Sequence, residues 1–317
     1  MTQLRPHTLQ LLSQSQHFAP QYQHGLTNHL SMTLVALEYC QASEQQLSEF
    51  YQHYTARLES LDDNSIRHTQ RRYLEAQAQY LAELEEQGTD AALKRHISEL
   101  IRGISAAGFH GIIRLAYAVL SQQHEQIAAA LAYWQCEYQS LGPLESISNY
   151  RAEQHIAKIE EAFSAQPEIE GLIADAMLET YQSEPYAPFR ALPDTLTFEQ
   201  VAQITLEHYA RSDDFNLLHG VTGLHALTLL LPYISDHQQA LNYFWQAYCA
   251  VFASSDLAQQ QNCKPTTKTW PELLQQASQS HNDHTIKLAL SCRDLDTIFA
   301  NPLYKHALAT RLAKESA

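Results

Sequence analysis

Apolar positions in this chain recur at intervals of three and four over most of its length, and in several stretches they close up until few polar positions remain. Residues 26–40, LTNHLSMTLVALEYC, read as a buried helix carrying one histidine. Residues 43–86 are polar with apolar residues at helical spacing, interrupted by a break at DDNS. The run AALKRHISELIRGISAAGFHGIIRLAYAVL begins amphipathic, but from Gly103 onward almost every residue is apolar or small, the pattern of a helix covered on all sides. An amphipathic run from Glu125 to Ser140 follows. Prolines 185, 188 and 193 mark residues 183–196 as a long connection, since proline disfavours helix at and before itself. It reads as a domain boundary or as a loop crossing the surface of one domain. Thr197 and Gln200 then form a capping box ahead of a helical run. Three more segments follow: DDFNLLHGVTGLH, the all-round apolar QALNYFWQAYCAVFASS, and a last buried helix in HNDHTIKLALSCRDL. Runs of β-branched residues at period two are hard to find. The expected fold is therefore all-α, one large helical domain over residues 1–317 with a buried site between helices.

Composition agrees with that reading, because good helix formers dominate and there are only 9 Gly and 11 Pro. A formal net charge of −15 argues against nucleic acid, whose phosphates need a basic face. No run of about 18 or more apolar residues is present, so no membrane-spanning helix is expected, and the N-terminus lacks the apolar core of a signal peptide. The 5 cysteines are widely spaced, with no CxxC pair. They fit free thiols in a reducing cytoplasm.

The 17 histidines change the picture, being nearly as numerous as the 20 lysines and arginines. His53, His68, His96, His124, His155 and His237 sit among glutamines and charged neighbours and read as surface residues. Four apolar segments each embed a histidine: NHLSM, GFHGIIR, LLHGVTGLH and HNDHTIKLAL. A single buried imidazole is ordinarily a core residue bonded to a backbone carbonyl. Four on different helices point to a shared explanation, and helical bundles build metal sites from inward-facing side chains. His219 and His225 are six residues apart and point apart on a straight helix, and His219 is preferred as the ligand. His29 is preferred to His24 because it lies deeper in its apolar run. His284 and Lys287 are three apart and share a face. Buried among apolar neighbours, Lys287 should have a lowered pKa. It then either pairs with an acid such as Asp283 or reacts with carbon dioxide to give an anionic carbamate. Gly220 and Gly223 leave room for a close neighbour, either a ligand or a packed helix, and Asp213 or Asp214 caps their helix.

The motifs NHLSMTLVAL, GFHGIIRLAYA, DDFNLLHGVTGLHAL and DHTIKL, in that order between about residues 24 and 290, resemble the questin oxidase-like family. That resemblance implies oxidative chemistry on anthraquinone-like rings by a non-haem iron dioxygenase with several histidines and a carboxylated lysine. Carried over to this chain, the metal ligands are His29, His110, His219, His284 and Lys287, the last as a carbamate. Arg114, one turn beyond His110, either orients an anionic phenolate or carboxylate or pairs with a core acid, and His225 is the other expected catalytic residue. The expected cofactor is Fe(II), with zinc or another transition metal as an alternative in purified protein, since imidazole suits several such ions. The expected partners are dioxygen and a small aromatic substrate. Two other readings stand beside this one. The first is a flavin- or NADPH-dependent Baeyer–Villiger oxidase, although no GxGxxG follows a strand. The second is a non-catalytic helical protein that binds a metal or small molecule.

Overall fold

The computed structural model describes residues 3–61, 68–166 and 169–315. Among them are fifteen α-helices. They are α1 (Pro6–Ser15), α2 (Leu30–Tyr39), α3 (Glu44–Thr55), α4 (His68–Gln87), α5 (Thr89–Leu100), α6 (His110–Ser121), α7 (His124–Cys136) and α8 (Ala152–Phe163). The series continues with α9 (Ile173–Gln182), α10 (Phe198–Ser212), α11 (Phe215–Leu230), α12 (His237–Ser254), α13 (Trp270–Ala277), α14 (Asp283–Phe299) and α15 (Leu303–Glu315). One two-stranded antiparallel sheet, β1 (Gln21–Tyr22) with β2 (Leu26–Thr27), precedes α2. The chain is all-α as its periodicity predicts. The DDNS break at 62–65 lies outside the described residues, as does the side chain of His68.

The four segments with an embedded histidine become a central ring of helices. α2 packs on α6, α6 on α11, α11 on α14, and α14 back on α2, which closes a ring of four helices. Every residue of α6 is buried, and so are Leu30 and Met32–Leu37 of α2 and Asn216–Leu227 of α11. α12 covers α11, and α15 covers α14. One contiguous apolar cluster runs from Leu4 to Leu312. α11 with its 3₁₀ extension, Phe215–Tyr233, is long and apolar enough by composition to cross a membrane, and most of it is buried inside the protein.

Three expectations need correction. The helix expected from Gly103 starts only at His110, because Ala107, Gly108 and Phe109 all adopt positive φ (48°, 63° and 69°) and turn the chain. Two of those three are not glycine, so the turn holds backbone strain beside the site. The run from Glu125 is not amphipathic in effect: Gln126–Trp134 are all buried, because α4 covers one face of α7 and α6 the other. His96 and His155 are not surface residues. The His96 Nε2 lies 2.7 Å from Glu83 Oε2, and His155 is held between the Phe189 carbonyl and the Trp245 indole N–H, each at 3.0 Å.

The 183–196 connection packs against the body rather than standing free. Tyr186, Leu192 and Leu196 are buried, and Leu192 exchanges backbone hydrogen bonds with the 146–148 segment. The Thr197–Gln200 capping box forms as expected. Asp214, not Asp213, caps α11 by accepting from Leu217 N–H at 2.8 Å. Asp213 instead ends α10 in a left-handed conformation and accepts from Lys314 at 2.7 Å.

Candidate metal centre

All four inner helices begin at the same end of the ring, and each contributes a histidine close to its start. His29 is the residue preceding α2, His110 the first residue of α6, and His284 the second of α14, while His219 lies one turn into α11. The imidazoles repeat the order of the helices. Ring centroids are 4.6 Å apart for His29–His110, 4.8 Å for His110–His219, 5.1 Å for His219–His284 and 4.7 Å for His284–His29.

The two nitrogens of each ring are treated differently. Every Nδ1 faces a protein oxygen: Asp283 Oδ2 for His29 and for His284 (3.2 Å), the Ala107 carbonyl for His110, and the Phe215 carbonyl for His219 (2.8 Å). Every Nε2 is buried and has no hydrogen-bond partner. An unmade hydrogen bond at a buried polar atom costs about 1–3 kcal/mol. Four together cost roughly as much as a domain's whole net stability of about 5–15 kcal/mol. The Nδ1–H groups fix the tautomer, so each Nε2 presents a lone pair inward, the arrangement in which histidine binds metal. Ligand atoms of His29, His110 and His284 lie within 4.8 Å of one another. With nitrogen–metal bonds of about 2.1 Å, a small inward movement of these three rings would suffice to hold one ion, and His219 lies outside that closest group. The donor set therefore fits a transition metal.

Electrostatics keep these lone pairs free of protons. Burial, together with Lys287, lowers the pKa of His29 to about 3, with Asp283 opposing. Burial and the neighbouring imidazoles depress His110 and His219 strongly, and burial with Lys287 depresses His284. Burial pushes the Asp283 carboxyl up, but His284 and His29 more than offset this and hold it well below the usual range. Burial lowers Lys287 to about 8, opposed by Asp283, whose Oδ2 lies 3.8 Å from Nζ. The salt-bridge reading of Lys287 is thus the contact the structure contains, on the same carboxylate that orients two of the histidines.

A cavity of about 650 Å³ opens onto the centre. His29, His110, Asp283 and His284 form one wall, and Leu26, Leu172, Ile173 and Phe215 supply apolar surface. Phe215 packs against two of the four rings, tilted at 4.7 Å from His284 and edge-on at 5.0 Å from His219. Glu137 also lines the cavity, and burial pushes its carboxyl up.

The structure does not bring the two expected catalytic residues to this cavity. Arg114 points the other way from α6, its guanidinium carbon 4.8 Å from the Tyr133 ring centroid, toward a small polar hollow with Asn28 and Gln126. No core acid pairs with it among the described residues. His225 is satisfied at both nitrogens, by Ser291 Oγ and Asp294 Oδ2 at 3.0 Å each. His24 is exposed. Gly220 and Gly223 serve helix packing: an added Cβ would come within 2.7 Å of the Tyr248 ring and 3.1 Å of the Phe109 ring, respectively. Gly223 thereby gives room to Phe109, whose left-handed backbone sets His110 at the head of α6. Sequence reading missed Asp283 as the shared anchor of two rings, although its place directly before His284 was a signal. It also missed Arg57 and Glu137, which carry no local motif.

A family model described as questin oxidase-like matches residues 26–292, a span that contains all four converging histidines and Lys287. The chain belongs to the questin oxidase-like family. The family's description marks it as an enzyme of oxidase type. A comparison with curated proteins finds no match.

Proposed function

We propose that this family member is a non-haem iron oxygenase acting on an aromatic, quinone-like substrate, with cleavage of a ring carbon–carbon bond as its reaction. The observation that carries the reading is the set of four buried Nε2 atoms without partners. His29, His110, His219 and His284 would hold the ion through those atoms. Bound iron would supply the means to activate dioxygen and pass oxidising equivalents to the ring.

The remaining tasks fall to the chain itself. Asp283 accepts from two Nδ1–H groups and so keeps His29 and His284 aimed inward. Phe215 shields the centre on the cavity side, and the apolar wall excludes water from the ring being oxidised. A cation at this point meets the positive ends of four helices, which disfavours it. Asp283 supplies one compensating charge. A carbamate on Lys287, formed by addition of its neutral amine to carbon dioxide with loss of a proton, would supply another. A pKa lowered to about 8 leaves a useful fraction of that amine neutral.

The test is oxygen uptake by iron-loaded protein presented with a panel of hydroxylated naphtho- and anthraquinones, with products analysed by mass. Uptake of dioxygen with mass gained by the organic product supports an oxygenase. Dependence on added flavin or NADPH would instead favour a Baeyer–Villiger enzyme. Absence of uptake across the panel, in protein shown to hold iron, would turn the reading toward a metal-binding protein without turnover.

A further inference from the structure

The polar group best placed to choose the ligand in this cavity is Arg57, just beyond the end of α3. Its guanidinium carbon sits 3.9 Å from the centroid of the Tyr54 ring. Tyr54 is itself fixed, because its hydroxyl accepts the backbone N–H of His29 at 2.9 Å. The guanidinium is therefore seated on a ring held by the same segment that carries the first histidine. Among the described residues its nearest carboxylate is Asp283, at 3.9 Å from Nη2 to Oδ1, beyond hydrogen-bond distance. The other oxygen of Asp283 is engaged by His29 and His284. Arg57 thus faces the cavity with no hydrogen-bond acceptor among the described residues and its side chain 38% exposed.

The surroundings add two further constraints. The cavity lining carries Arg57 together with the carboxylates Asp283, Glu137 and Asp175, and the N-terminal ends of four helices bring positive potential to the wall formed by His29, His110 and His284. Three large apolar side chains on the cavity wall are exposed: Leu26 at 42%, Leu172 at 37% and Phe215 at 49%. Apolar surface of that kind, beside such a guanidinium, marks a site for a ligand with a flat apolar body and an anionic edge.

We infer that Arg57 selects an anionic aromatic ligand, a ring system bearing an ionised phenol or a carboxylate. The oxygen rests on the guanidinium, and the ring lies across Leu26, Leu172 and Phe215. This rests on the cavity being the substrate site of the proposed oxygenase and adds the charge that its substrate must carry. It also gives Arg57 the orienting role that was one of the two expected of Arg114.

The experiment is calorimetric titration of the full chain as purified, without oxygen, using three probes. They are 2-hydroxy-1,4-naphthoquinone, which is ionised at neutral pH, its neutral methyl ether, and 1-hydroxy-2-naphthoate. The ionised phenol or the carboxylate, or both, should bind at least about ten-fold tighter than the ether, the size expected of one charge-assisted hydrogen bond. Whichever of the two acids binds tighter identifies the anionic group. Arg57→Met should erase the preference while leaving affinity for the ether within about two-fold, and Arg57→Lys should retain part of it. Equal binding of ether and acids, an undiminished preference in Arg57→Met, or binding of none of the probes would overturn the inference. Because the readout is binding without turnover, failure of the oxygenase reading would leave a positive result standing.

Discussion

Asp283 is the point where the account can be put under most strain, because one side chain orients two of the four rings. Replacing it by asparagine keeps an oxygen able to accept from both Nδ1–H groups and removes only the charge. Replacing it by leucine removes both acceptors and leaves Lys287 buried without its nearest anion. Loss of one such outer partner typically lowers metal affinity about 10- to 100-fold. Two histidines depend on this carboxylate, so Asp283→Leu should weaken binding by roughly 10²- to 10⁴-fold, about 3–5.5 kcal/mol. Asp283→Asn should fall near the loss for a single partner, about ten-fold. Competition against a chromophoric chelator with Fe(II) under anaerobic conditions, and with Co(II) or Zn(II) as controls, gives both affinities. Circular dichroism and a melting curve establish that each variant is folded. A folded Asp283→Leu that holds metal within about three-fold of the wild type would refute the reasoning, because the rings would then be positioned by something other than this carboxylate.

Lys287→Ala should lose oxygen uptake and recover part of it with bicarbonate or a short carboxylate, whereas full activity without rescue would remove the carbamate from the account. The metal-free protein should lose stability on acidification. The centre's histidines have folded pKa values below the unfolded value of about 6.5, His29 near 3, so the unfolded chain binds more protons as pH falls through that window. Each such histidine adds a slope approaching 1.4 kcal/mol per pH unit. Urea midpoints that stay level between pH 7.5 and 5.5 would mean the rings are not held neutral. Gly220→Ala should cost about 1–3 kcal/mol, since the new Cβ meets the Tyr248 ring at 2.7 Å and α11 must shift. An unchanged melting temperature would show that the contact gives way freely.

Much of this was legible in the sequence because two signals coincide there. All-round apolarity marks α6 and α11 as inner helices, although α12 carries it too and lies outside the ring, and α14 turns polar from Arg293 onward. A histidine inside an apolar segment is conspicuous, as His110 and His219 show. What the sequence hid is tertiary. Whether His225 or His219 turns inward depends on which neighbour each ring finds, and Asp294, on another helix, claims His225. Arg114 lies one turn from His110, yet its guanidinium rests over Tyr133 of α7 and not in the cavity, a neighbour that only the packing supplies. His96 and His155 stand in polar sequence, yet they are buried by α4 and by the 183–196 connection, which no local pattern reveals. Arg57 enters the cavity from the end of a helix outside the central ring, and only the packing of α3 on α2 brings it there.

The central claim is that four converging Nε2 atoms hold a redox metal. Its most direct test is element-resolved metal analysis of the protein purified anaerobically without a histidine tag, alongside His219→Ala. The account predicts near-stoichiometric iron in the wild type and its loss in a folded His219→Ala. Absence of any stoichiometric metal, even after reconstitution with Fe(II) and bicarbonate, would contradict it and return the four imidazoles to the polar part of a helical core.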